Sequence, residues 1–371
     1  MDDPLAEIAA LLGRPTVKLD TPEIQRFIAG RRVLVTGAGG SIGSEICRQI
    51  ARFSPKRLVL LDRSEAGLFE IWRELKSRWI GTDLRPAVAD VCDPARLNRI
   101  FEDEQPQVVL HVAAHKHVGL MEDNPGEAVK VNVFGTYAVA KCAADYGAKN
   151  FVLVSTDKAV NPTCIMGATK RAAEMIVQAA GRDAGCRFSA VRFGNVLGSS
   201  GSVVPIFAKQ IAAGGPVTVT DARMKRFFMT IPEAAGLVMQ AGSMGEGGEI
   251  FVLDMGEQIS ILKLAEAMIR RCGLEPQKDI AVRFTGIGAG EKLEEELAGT
   301  DEPTLPTPHK KISVWQLPAV SVDAVDTMLS DLRRVVDSTP VAIAEALASA
   351  VPEFEHDLTR QKLRPTLRIA A

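Results

Sequence analysis

The feature that most constrains the fold is a regular alternation, from Arg32 onward, between short apolar runs and longer amphipathic stretches. Amphipathic stretches with helical spacing separate the apolar runs. Strands that alternate with helices of this length form βαβ units, which build a parallel sheet covered by helices on both faces. The sequence therefore predicts an α/β fold with a Rossmann-type, doubly wound parallel sheet. The predicted strands are 33–36, 58–61, 87–89, 108–111 and 151–154, and the predicted helices are 41–53, 65–77, 94–103 and 125–146.

The alternation weakens after about residue 195, where glycine and proline become denser. Short strands and helices interleave there, which is typical of a smaller α/β lobe. A chain of 371 residues has room for two domains of ordinary size. We expect an N-terminal helical extension over 1–30, a dinucleotide-binding domain over 31–194 to which segments near 226–255 return, a substrate-binding lobe over 195–340, and a C-terminal helix and tail over 341–371.

Composition excludes several classes of protein. Lys plus Arg number 44 and Asp plus Glu number 46, and no run of basic residues offers a patch for nucleic acid. No stretch of about 18 uninterrupted apolar residues predicts a membrane span, and the acidic start Met1–Pro4 is unlike a signal peptide. The six cysteines are scattered without metal-ligand spacing. We therefore expect a cytoplasmic protein with reduced thiols and no metal site.

A glycine-rich turn follows the first predicted strand and opens the first predicted helix. It reads Thr36-Gly37-Ala38-Gly39-Gly40-Ser41-Ile42-Gly43, so the glycines at 37, 40 and 43 have G-x-x-G-x-x-G spacing. Such glycines let the turn close tightly and let a pyrophosphate approach the N–H groups at a helix N-terminus. A plain loop can also be glycine-rich, but the position between a strand and a helix favours a dinucleotide site.

Acidic residues after the next two strands favour the same site. Asp62 ends the second strand about 20 residues after the last glycine, where a carboxylate binds the ribose hydroxyls of an adenine dinucleotide; a simple turn residue is the alternative. A carboxylate there repels a 2′-phosphate. We therefore favour NAD over NADP. Arg63, the next residue, leaves NADP as an alternative. Asp90 and Val91, after the third strand, suit the adenine edge.

Polar side chains gather where the fifth predicted strand ends. Ser155-Thr156-Asp157-Lys158 follow this strand, and open α/β sheets bind ligands at this edge. Functional side chains in a row are costly to bury unless they act on a ligand, although a turn or a helix cap also explains them. Met166 and Lys170 follow on one helix face. Lys170 can hold the ribose hydroxyls next to a nicotinamide.

A Tyr-x-x-x-Lys pattern, the signature of short-chain dehydrogenases, occurs at Tyr137 and Lys141. It lies in the helix before the fifth strand, whereas the signature follows the strand that carries the active-site Ser or Thr. We therefore interpret both residues as helix-surface residues. Met166 occupies the place of the signature tyrosine and cannot exchange a proton.

The motifs together resemble one family. They are similar to the extended short-chain dehydrogenase/reductases that act as UDP-N-acetylglucosamine 4,6-dehydratases in bacterial surface-polysaccharide and glycan synthesis. Methionine at 166 resembles the larger, usually membrane-anchored branch, whose members retain the configuration at C5. The resemblance allows a naturally soluble member or the cytosolic part of an anchored one, and it implies a homo-oligomer. The motifs that carry it are 37–43, 111–118, 155–158, 166–170 and 192–196.

The resemblance implies an internal redox elimination. A hydride passes from C4 of the sugar to NAD, water leaves across C5–C6, and the hydride returns to C6, which gives a UDP-4-keto-6-deoxy-N-acetylhexosamine. It implies that Thr156 contacts the C4 oxygen, that Asp157 is the acid for the C6 hydroxyl and that Lys158 is the base for the C5 proton. The group that deprotonates the C4 hydroxyl is open, and our hypothesis is that Asp157 does so through Thr156 or a water. The catalytic set is Thr156, Asp157, Lys158, Met166 and Lys170, and the cofactor set is Gly37, Gly40, Ser41, Ile42, Gly43, Asp62, Arg63, Asp90, Val91, Ala113 and Lys170.

The resemblance also implies contacts with a UDP-sugar. A guanidinium such as that of Arg226 can bind diphosphate oxygens bidentately. Arg223 and Lys225 are equally well explained as solvated surface. One departure is Gly288-Ala289, where relatives carry Arg-Pro, so a cationic phosphate contact is missing and the identity of the sugar is open. The expected substrate set is Lys116, His117, Arg192, Asn195, Arg226 and Glu291.

Two other functions stay open. A UDP-sugar 4-epimerase shares the cofactor and the C4 oxidation, but epimerases generally carry small residues where this chain has Asp157-Lys158. A non-catalytic dinucleotide-binding protein would explain the missing tyrosine. The presence of Thr156, Asp157, Lys158 and Lys170 argues against that alternative.

Overall fold

The computed structural model describes residues 22–183, 185–297 and 303–356. Parts of the expected N-terminal extension and C-terminal tail lie outside the described residues. The strands are β1 (Arg32–Thr36), β2 (Arg57–Asp62), β3 (Leu84–Val88), β4 (Val108–His111), β5 (Asn150–Val154), β6 (Arg187–Arg192), β7 (Asn195–Val196), β8 (Val217–Val219), β9 (Lys225–Arg226), β10 (Phe228–Met229), β11 (Glu249–Leu253), β12 (Ile259–Ser260), β13 (Val282–Phe284), β14 (Thr304–Pro306) and β15 (Ile312–Trp315).

Helices separate most of these strands. They are α1 (Pro22–Ile28), α2 (Ser41–Arg52), α3 (Glu65–Arg78), α4 (Pro94–Glu104), α5 (Val118–Asp123), α6 (Pro125–Ala128), α7 (Thr136–Asp145), α8 (Ile165–Asp183), α9 (Val203–Ala212), α10 (Ile231–Met244), α11 (Ile261–Arg271), α12 (Val322–Val335) and α13 (Pro340–Ala350). A π-helical stretch, Val129–Gly135, joins α6 to α7, and a 3₁₀ turn, Asp157–Ala159, follows β5.

A nine-stranded sheet forms the centre of the molecule, in the order β14-β15-β11-β6-β5-β4-β1-β2-β3. The strands from β3 to β11 in this order are parallel. An antiparallel hairpin, β14 and β15, closes the other edge beside β11. Apolar clusters cover both faces of the sheet. The predicted doubly wound, Rossmann-type α/β fold is confirmed, and the carboxyl ends of its parallel strands meet at one edge.

The glycine-rich turn is as tight as its sequence predicts. Gly37 has φ +69°, a conformation that favours glycine. A Cβ on Gly37 would lie 2.7 Å from the backbone nitrogen of Ala113, and a Cβ on Gly43 would overlap the carbonyl oxygen of Gly37. The first turn of α2 therefore packs against the strand-to-helix turn with no space for a side chain.

One predicted helix, 125–146, is interrupted. The chain forms α6, the π-helical stretch and α7 instead of one regular helix. Within the π-helical stretch, Asn132 accepts a hydrogen bond from the backbone nitrogen of His115 and donates to the carbonyl oxygen of the same residue. The side chain of Asn132, in the π-helical stretch, thus holds the segment that follows β4 in place.

The later part of the chain divides between the main sheet and a smaller lobe. Helices α9 and α11 pack with β8 and β13 around a separate apolar cluster. Strand β11 pairs with β6, and α12 contributes Val325 and Leu329 to the core of the main sheet. Within the range 195–340, which we expect to be mainly the substrate-binding lobe, β15 and α12 thus pack with the main sheet. No helix among residues 22–183, 185–297 and 303–356 is both long and apolar enough to cross a bilayer.

A methyl group at position 43 tests this packing. We expect Gly43→Ala to lower the free energy of unfolding by about 1–3 kcal/mol, because the added carbon must displace the Gly37 backbone. Urea unfolding measures the change. Gly81→Ala is the matched control, since a Cβ there meets no atom within 4 Å. Equal stability of the two variants would contradict the packing described.

Candidate active site

A cavity of about 600 Å³ opens at the carboxyl-terminal edge of the sheet. The turn after β1, the ends of β2, β4 and β5 and the start of α8 line it. This is where open α/β sheets bind ligands. The structure brings every residue of the expected cofactor set to its wall: Gly37, Gly40, Ser41, Ile42, Gly43, Asp62, Arg63, Asp90, Val91, Ala113 and Lys170.

The N-terminus of α2 forms the floor of this cavity and fits a phosphate group. Gly40 is the N-cap residue and makes no side-chain capping bond, so the first N–H groups of the helix are not satisfied by a cap. Partial positive charge at such a terminus favours an anion. The glycine turn, the uncapped helix and the cavity volume together suit a dinucleotide.

Asp62 lines the cavity at the end of β2, and backbone groups hold its side chain. Its two carboxylate oxygens accept hydrogen bonds from the backbone nitrogens of Gly39 and Ser64, each at 2.8 Å. The neighbouring Arg63 has Nη1 3.9 Å from Asp90 Oδ2, so part of its charge is compensated. The Asp62 carboxylate thus has a fixed orientation, while Arg63 faces the Asp90 carboxylate.

The segment after β5 forms a short polar turn. Thr156 caps the 3₁₀ turn by accepting a hydrogen bond from the backbone nitrogen of Lys158 at 3.4 Å. Its hydroxyl donates to Asp157 Oδ1 at 2.9 Å. Thr156 and Lys158 line the cavity.

The side chain of Asp157 is fully buried and does not line the cavity, so any action on a ligand there must pass through another group. The backbone nitrogen of Asp157 donates to the carbonyl oxygen of Phe193, which turns the carboxylate inward. A Cβ on Gly194 would lie 2.8 Å from Asp157 Oδ2. The carboxylate reaches the cavity only through the groups bonded to it, the Thr156 hydroxyl and the Lys158 ammonium.

Three oxygens surround the Lys158 nitrogen. Nζ lies 3.0 Å from Asp157 Oδ1, 3.2 Å from Asn195 Oδ1 and 3.3 Å from Glu295 Oε1. Burial lowers the pKa of Lys158, but the charges of Asp157 and Glu295 outweigh burial and hold the pKa above its ordinary value. Lys158 is therefore an ammonium at neutral pH.

Helix α8 carries the two residues expected from the resemblance. Met166 and Lys170 both line the cavity and are almost fully buried. The Lys170 ammonium donates to the carbonyl oxygen of Val154 at 2.8 Å. Burial lowers its pKa to about 8, and the charge of Glu174 opposes this only in part.

Arg192, which the sequence analysis expects to contact the substrate, lines neither of the two cavities of the site. It is the last residue of β6 and has no exposed surface. Its guanidinium donates to both carboxylate oxygens of Glu174, at 2.6 Å and 2.5 Å, and lies over the ring of Trp315 at 3.8 Å. The side chain of this strand residue points into the protein, where Glu174 accepts from Nε and Nη2 and the Trp315 ring covers one face of the guanidinium, while Nη1 is buried without a hydrogen-bond partner in the described part of the chain. Arg192 thus stabilises the end of β6, and its expected contact with a substrate stays a prediction.

A second cavity of about 520 Å³ adjoins the first and shares Lys116, His117, Lys158 and Asn195 with it. The remaining expected substrate residues, Arg226 and Glu291, line this second cavity. Burial lowers the pKa of Lys116 and that of His117.

Arg226 and Glu291 are already engaged with the loop at this cavity. The Arg226 guanidinium donates to the carbonyl oxygens of Lys225, Lys292 and Leu293. Glu291 accepts a hydrogen bond from the backbone nitrogen of Gly288. Arg226 thus braces the loop that carries Glu291, which leaves it fewer donors for a diphosphate than the sequence suggests.

Two features of the site are not predicted from the sequence. Glu295 is buried against Lys158, but the sequence shows only an acidic run at 294–296 that is typical of a solvated surface. Ser200 donates its backbone N–H to Ser41 Oγ at 2.9 Å, so a loop that follows β7 contacts the start of α2.

The remaining sequence candidates lie away from the cleft. Tyr137 lies under the Arg333 guanidinium and Lys141 pairs with Asp145, and neither lines the cavities. Among residues 22–183, 185–297 and 303–356, no group of three or more His, Cys, Asp or Glu side chains has an arrangement that could hold a metal ion.

The chain is similar to known proteins in sequence and in fold. The profile of a family described as "Polysaccharide biosynthesis protein" matches residues 33–317. CapD of Staphylococcus aureus is 48% identical over 329 residues, 88% of this chain and 55% of that protein. EpsC of Bacillus subtilis is 54% identical over 294 residues, 79% of this chain and 49% of that protein. The chain thus spans about half the length of these relatives.

Other relatives match over most of their length. A protein of Campylobacter jejuni named UDP-N-acetylglucosamine 4,6-dehydratase (inverting) is 35% identical over 278 residues, 74% of this chain and 79% of the relative. The X-ray structure of Pen from Bacillus thuringiensis is 35% identical with a TM-score of 0.73, over 80% of this chain and 90% of that one. A double mutant of DesIV, a dTDP-glucose 4,6-dehydratase of Streptomyces venezuelae, was solved with NAD and DAU bound and shares the fold at 21% identity and a TM-score of 0.65, over 87% of this chain and 96% of that one.

Removal of the Glu174 charge tests how the site is held together. We expect Glu174→Gln to lower the free energy of unfolding by about 3 kcal/mol, because the fully buried Arg192 loses its counter-charge. Chemical denaturation measures the loss, with Glu70→Gln on the exposed face of α3 as the control. A loss no larger than that of the control would refute this assignment.

Proposed function

Because the chain belongs to the family of polysaccharide biosynthesis proteins, within the extended short-chain dehydrogenase/reductases, we propose that it is an NAD-dependent UDP-N-acetylglucosamine 4,6-dehydratase. The enzyme would be a hydro-lyase that forms a UDP-4-keto-6-deoxy-N-acetylhexosamine. The observation that carries the proposal is the turn Thr156-Asp157-Lys158 at the junction of two cavities, one suited to a dinucleotide and the other lined by charged side chains.

The first cavity supports NAD as the cofactor. Asp62 is oriented to accept hydrogen bonds from ribose hydroxyls, and its charge opposes a 2′-phosphate. Arg63, the residue that would favour NADP, faces Asp90 instead. When bound, NAD supplies a hydride acceptor for C4 of the sugar and returns the hydride to C6. Lys170, at the inner end of the cavity, is placed to hold the ribose next to the nicotinamide.

Thr156 and Asp157 support a proton relay in place of the missing tyrosine. The Thr156 hydroxyl lines the cavity and donates to the buried carboxylate of Asp157. As the C4 hydroxyl gives its proton to Thr156 Oγ1, Thr156 passes its own proton to Asp157 Oδ1. In the elimination, Asp157 gives its proton back to Thr156 Oγ1 while Thr156 donates its own proton to the C6 hydroxyl, and the C6–O bond breaks to release water. Asp157 therefore acts through Thr156 rather than by direct contact.

Lys158 is the group that we propose takes the C5 proton and returns it to C5 when the hydride adds to C6. Its nitrogen lies where the two cavities join. Because the resting form of Lys158 is the ammonium, the base is the fraction of the enzyme in which Lys158 has lost its proton, and that fraction grows as the pH rises. General acid–base catalysis by one positioned group typically contributes about 10²–10⁴-fold to the rate. An elimination needs an acid and a base near adjacent carbons, which the consecutive residues Asp157 and Lys158 supply.

The second cavity supports a nucleotide sugar as the substrate. Lys116, Arg226 and Lys292 place positive charge around it, which suits a diphosphate. Asn195 and His117 offer neutral polar groups at the junction. The resemblance further supports work in the cytoplasm and assembly into a homo-oligomer, which we retain as proposals.

A direct assay tests the proposed reaction. The protein is incubated with UDP-N-acetylglucosamine and NAD in D₂O, and the proton NMR spectrum of the sugar is followed. We expect a new C6 methyl signal, because the reaction converts the C6 hydroxymethyl group into a methyl group. A galacto-configured product would instead identify an epimerase, and an unchanged spectrum would contradict the dehydratase.

Asp157→Asn tests the relay. Asparagine cannot accept the proton passed on by Thr156, so we expect both C4 oxidation and water loss to slow by about 10²–10⁴-fold. Single-turnover measurement of NADH absorbance reports the oxidation step, and Asp145→Asn on the exposed face of α7 is the control. NADH formation at the normal rate in Asp157→Asn would exclude the relay.

A further inference from the structure

Four charged side chains meet beneath the junction of the two cavities. Asp157 and Lys158 come from the turn after β5, Arg226 comes from β9, and Glu295 comes from the loop that follows β13. Two are positive and two are negative, and the exposed fraction of their side chains does not exceed 19%. The cluster is therefore electrically balanced while it is largely removed from water.

The geometry around the Lys158 nitrogen requires its charged form. An ammonium has three N–H donors, and three oxygens, on Asp157, Asn195 and Glu295, lie within 3.3 Å of Nζ. A neutral amine has two N–H donors and a lone pair, so it would leave one of these oxygens facing a lone pair. The contact with Glu295 completes the set and keeps the ammonium at the junction.

Glu295 is itself held in place. Its backbone carbonyl oxygen accepts a hydrogen bond from Gln258 Nε2 at 2.8 Å, and its Oε1 lies 3.6 Å from Arg226 Nε. Its second carboxylate oxygen, Oε2, is buried and has no hydrogen-bond partner among the described residues. A carboxylate that is fixed and incompletely bonded interacts strongly with the nearest cation, which is Lys158.

We propose that Glu295 is a positioning residue for Lys158, which holds the lysine nitrogen at the junction of the cavities and determines how readily it gives up its proton. The inference rests on the proposed function only in the statement that Lys158 is the base of an elimination. It adds a residue from across the cleft to the acid–base groups that the sequence analysis places on the turn 156–158.

Electrostatics supports this role. The groups that face Lys158 are Asp157 on its own turn, Arg226 and Glu295 across the cleft, Cys164 before α8, and Lys116 and His117 on the cavity wall. Asp157 and Glu295 raise the pKa of Lys158, and burial and Arg226 lower it. Without Glu295, a single carboxylate would face two buried cations, so the pKa of Lys158 would fall.

The consequence for the reaction is a shift of its pH dependence. A base works in its deprotonated form, so activity rises with pH as Lys158 loses its proton. With Glu295 present that rise lies at a higher pH, and the amine that forms is the stronger base. Loss of Glu295 moves the rise in activity to lower pH and makes the Lys158 amine a weaker base. It also leaves the Lys158 side chain free to move.

Glu295→Gln in the full chain is the test, with Glu294→Gln as the matched control. Glu294 is the adjacent residue, but it is exposed and pairs with Lys225. Competitive labelling of lysines with acetic anhydride across a pH series, followed by peptide mass spectrometry, measures the reactivity of Lys158 without any substrate. We expect Glu295→Gln to shift the reactivity curve of Lys158 by about one pH unit to lower pH, a roughly tenfold gain at a fixed pH below the midpoint. An unshifted curve, or an equal shift in Glu294→Gln, overturns the proposal.

A second variant and a second measurement keep the test independent of folding and of the proposed reaction. If Glu295→Gln does not fold, Glu295→Asp draws the carboxylate back by one carbon and should give a smaller shift in the same direction. The wild-type protein could form no product from UDP-N-acetylglucosamine while the labelling shift still occurs. The proposed function then fails, and the role of Glu295 in keeping Lys158 protonated stands. Should product form, the rise of kcat with pH must move with the labelling curve, and an unmoved rise overturns the proposal.

Discussion

The buried carboxylate of Glu174 is the interaction on which the geometry of the site depends. It lies in α8, accepts a hydrogen bond from the Ser155 hydroxyl at the end of β5, and binds the guanidinium of Arg192 at the end of β6. One side chain thus joins a helix to two neighbouring strands at the edge where ligands bind. Because Met166 and Lys170 lie on the same helix, the cavity wall that they form has a fixed position relative to the turn after Ser155.

The proposed chemistry depends on the groups near that turn that can accept and donate protons. Asp157 is withdrawn from the cavity but bonded to two groups that line it, Thr156 and Lys158. A buried carboxylate behind a hydroxyl can take and return a proton without contact with the sugar, which is a task that a tyrosine performs directly in related dehydrogenases. Glu295 then balances the charge of Lys158 from across the cleft. In the proposed mechanism protons pass between pairs of groups, and this mechanism needs no proton exchange by the residue at 166, which is methionine.

Local patterns predict the dinucleotide cleft well, because its parts follow strand ends directly. The glycine turn and Asp62 lie at the ends of β1 and β2, and the parallel order of the sheet brings them together. The direction of a side chain at a strand end is less predictable. Arg192 and Asp157 both turn inward, since a buried partner or a backbone bond determines their orientation. Of the three carboxylates in the run 294–296, that of Glu295 contacts Lys158, because the path of the loop brings this residue next to the lysine.

The structure of the protein with NAD and UDP-N-acetylglucosamine bound tests the central claim most directly. The account predicts that the hexose lies at the junction of the two cavities, with Thr156 Oγ1 within hydrogen-bond distance of the C4 oxygen and Lys158 Nζ facing C5. Asp157 should remain behind Thr156 with no contact to the sugar. A hexose bound away from this junction, or Thr156 and Lys158 turned from it, would contradict the account.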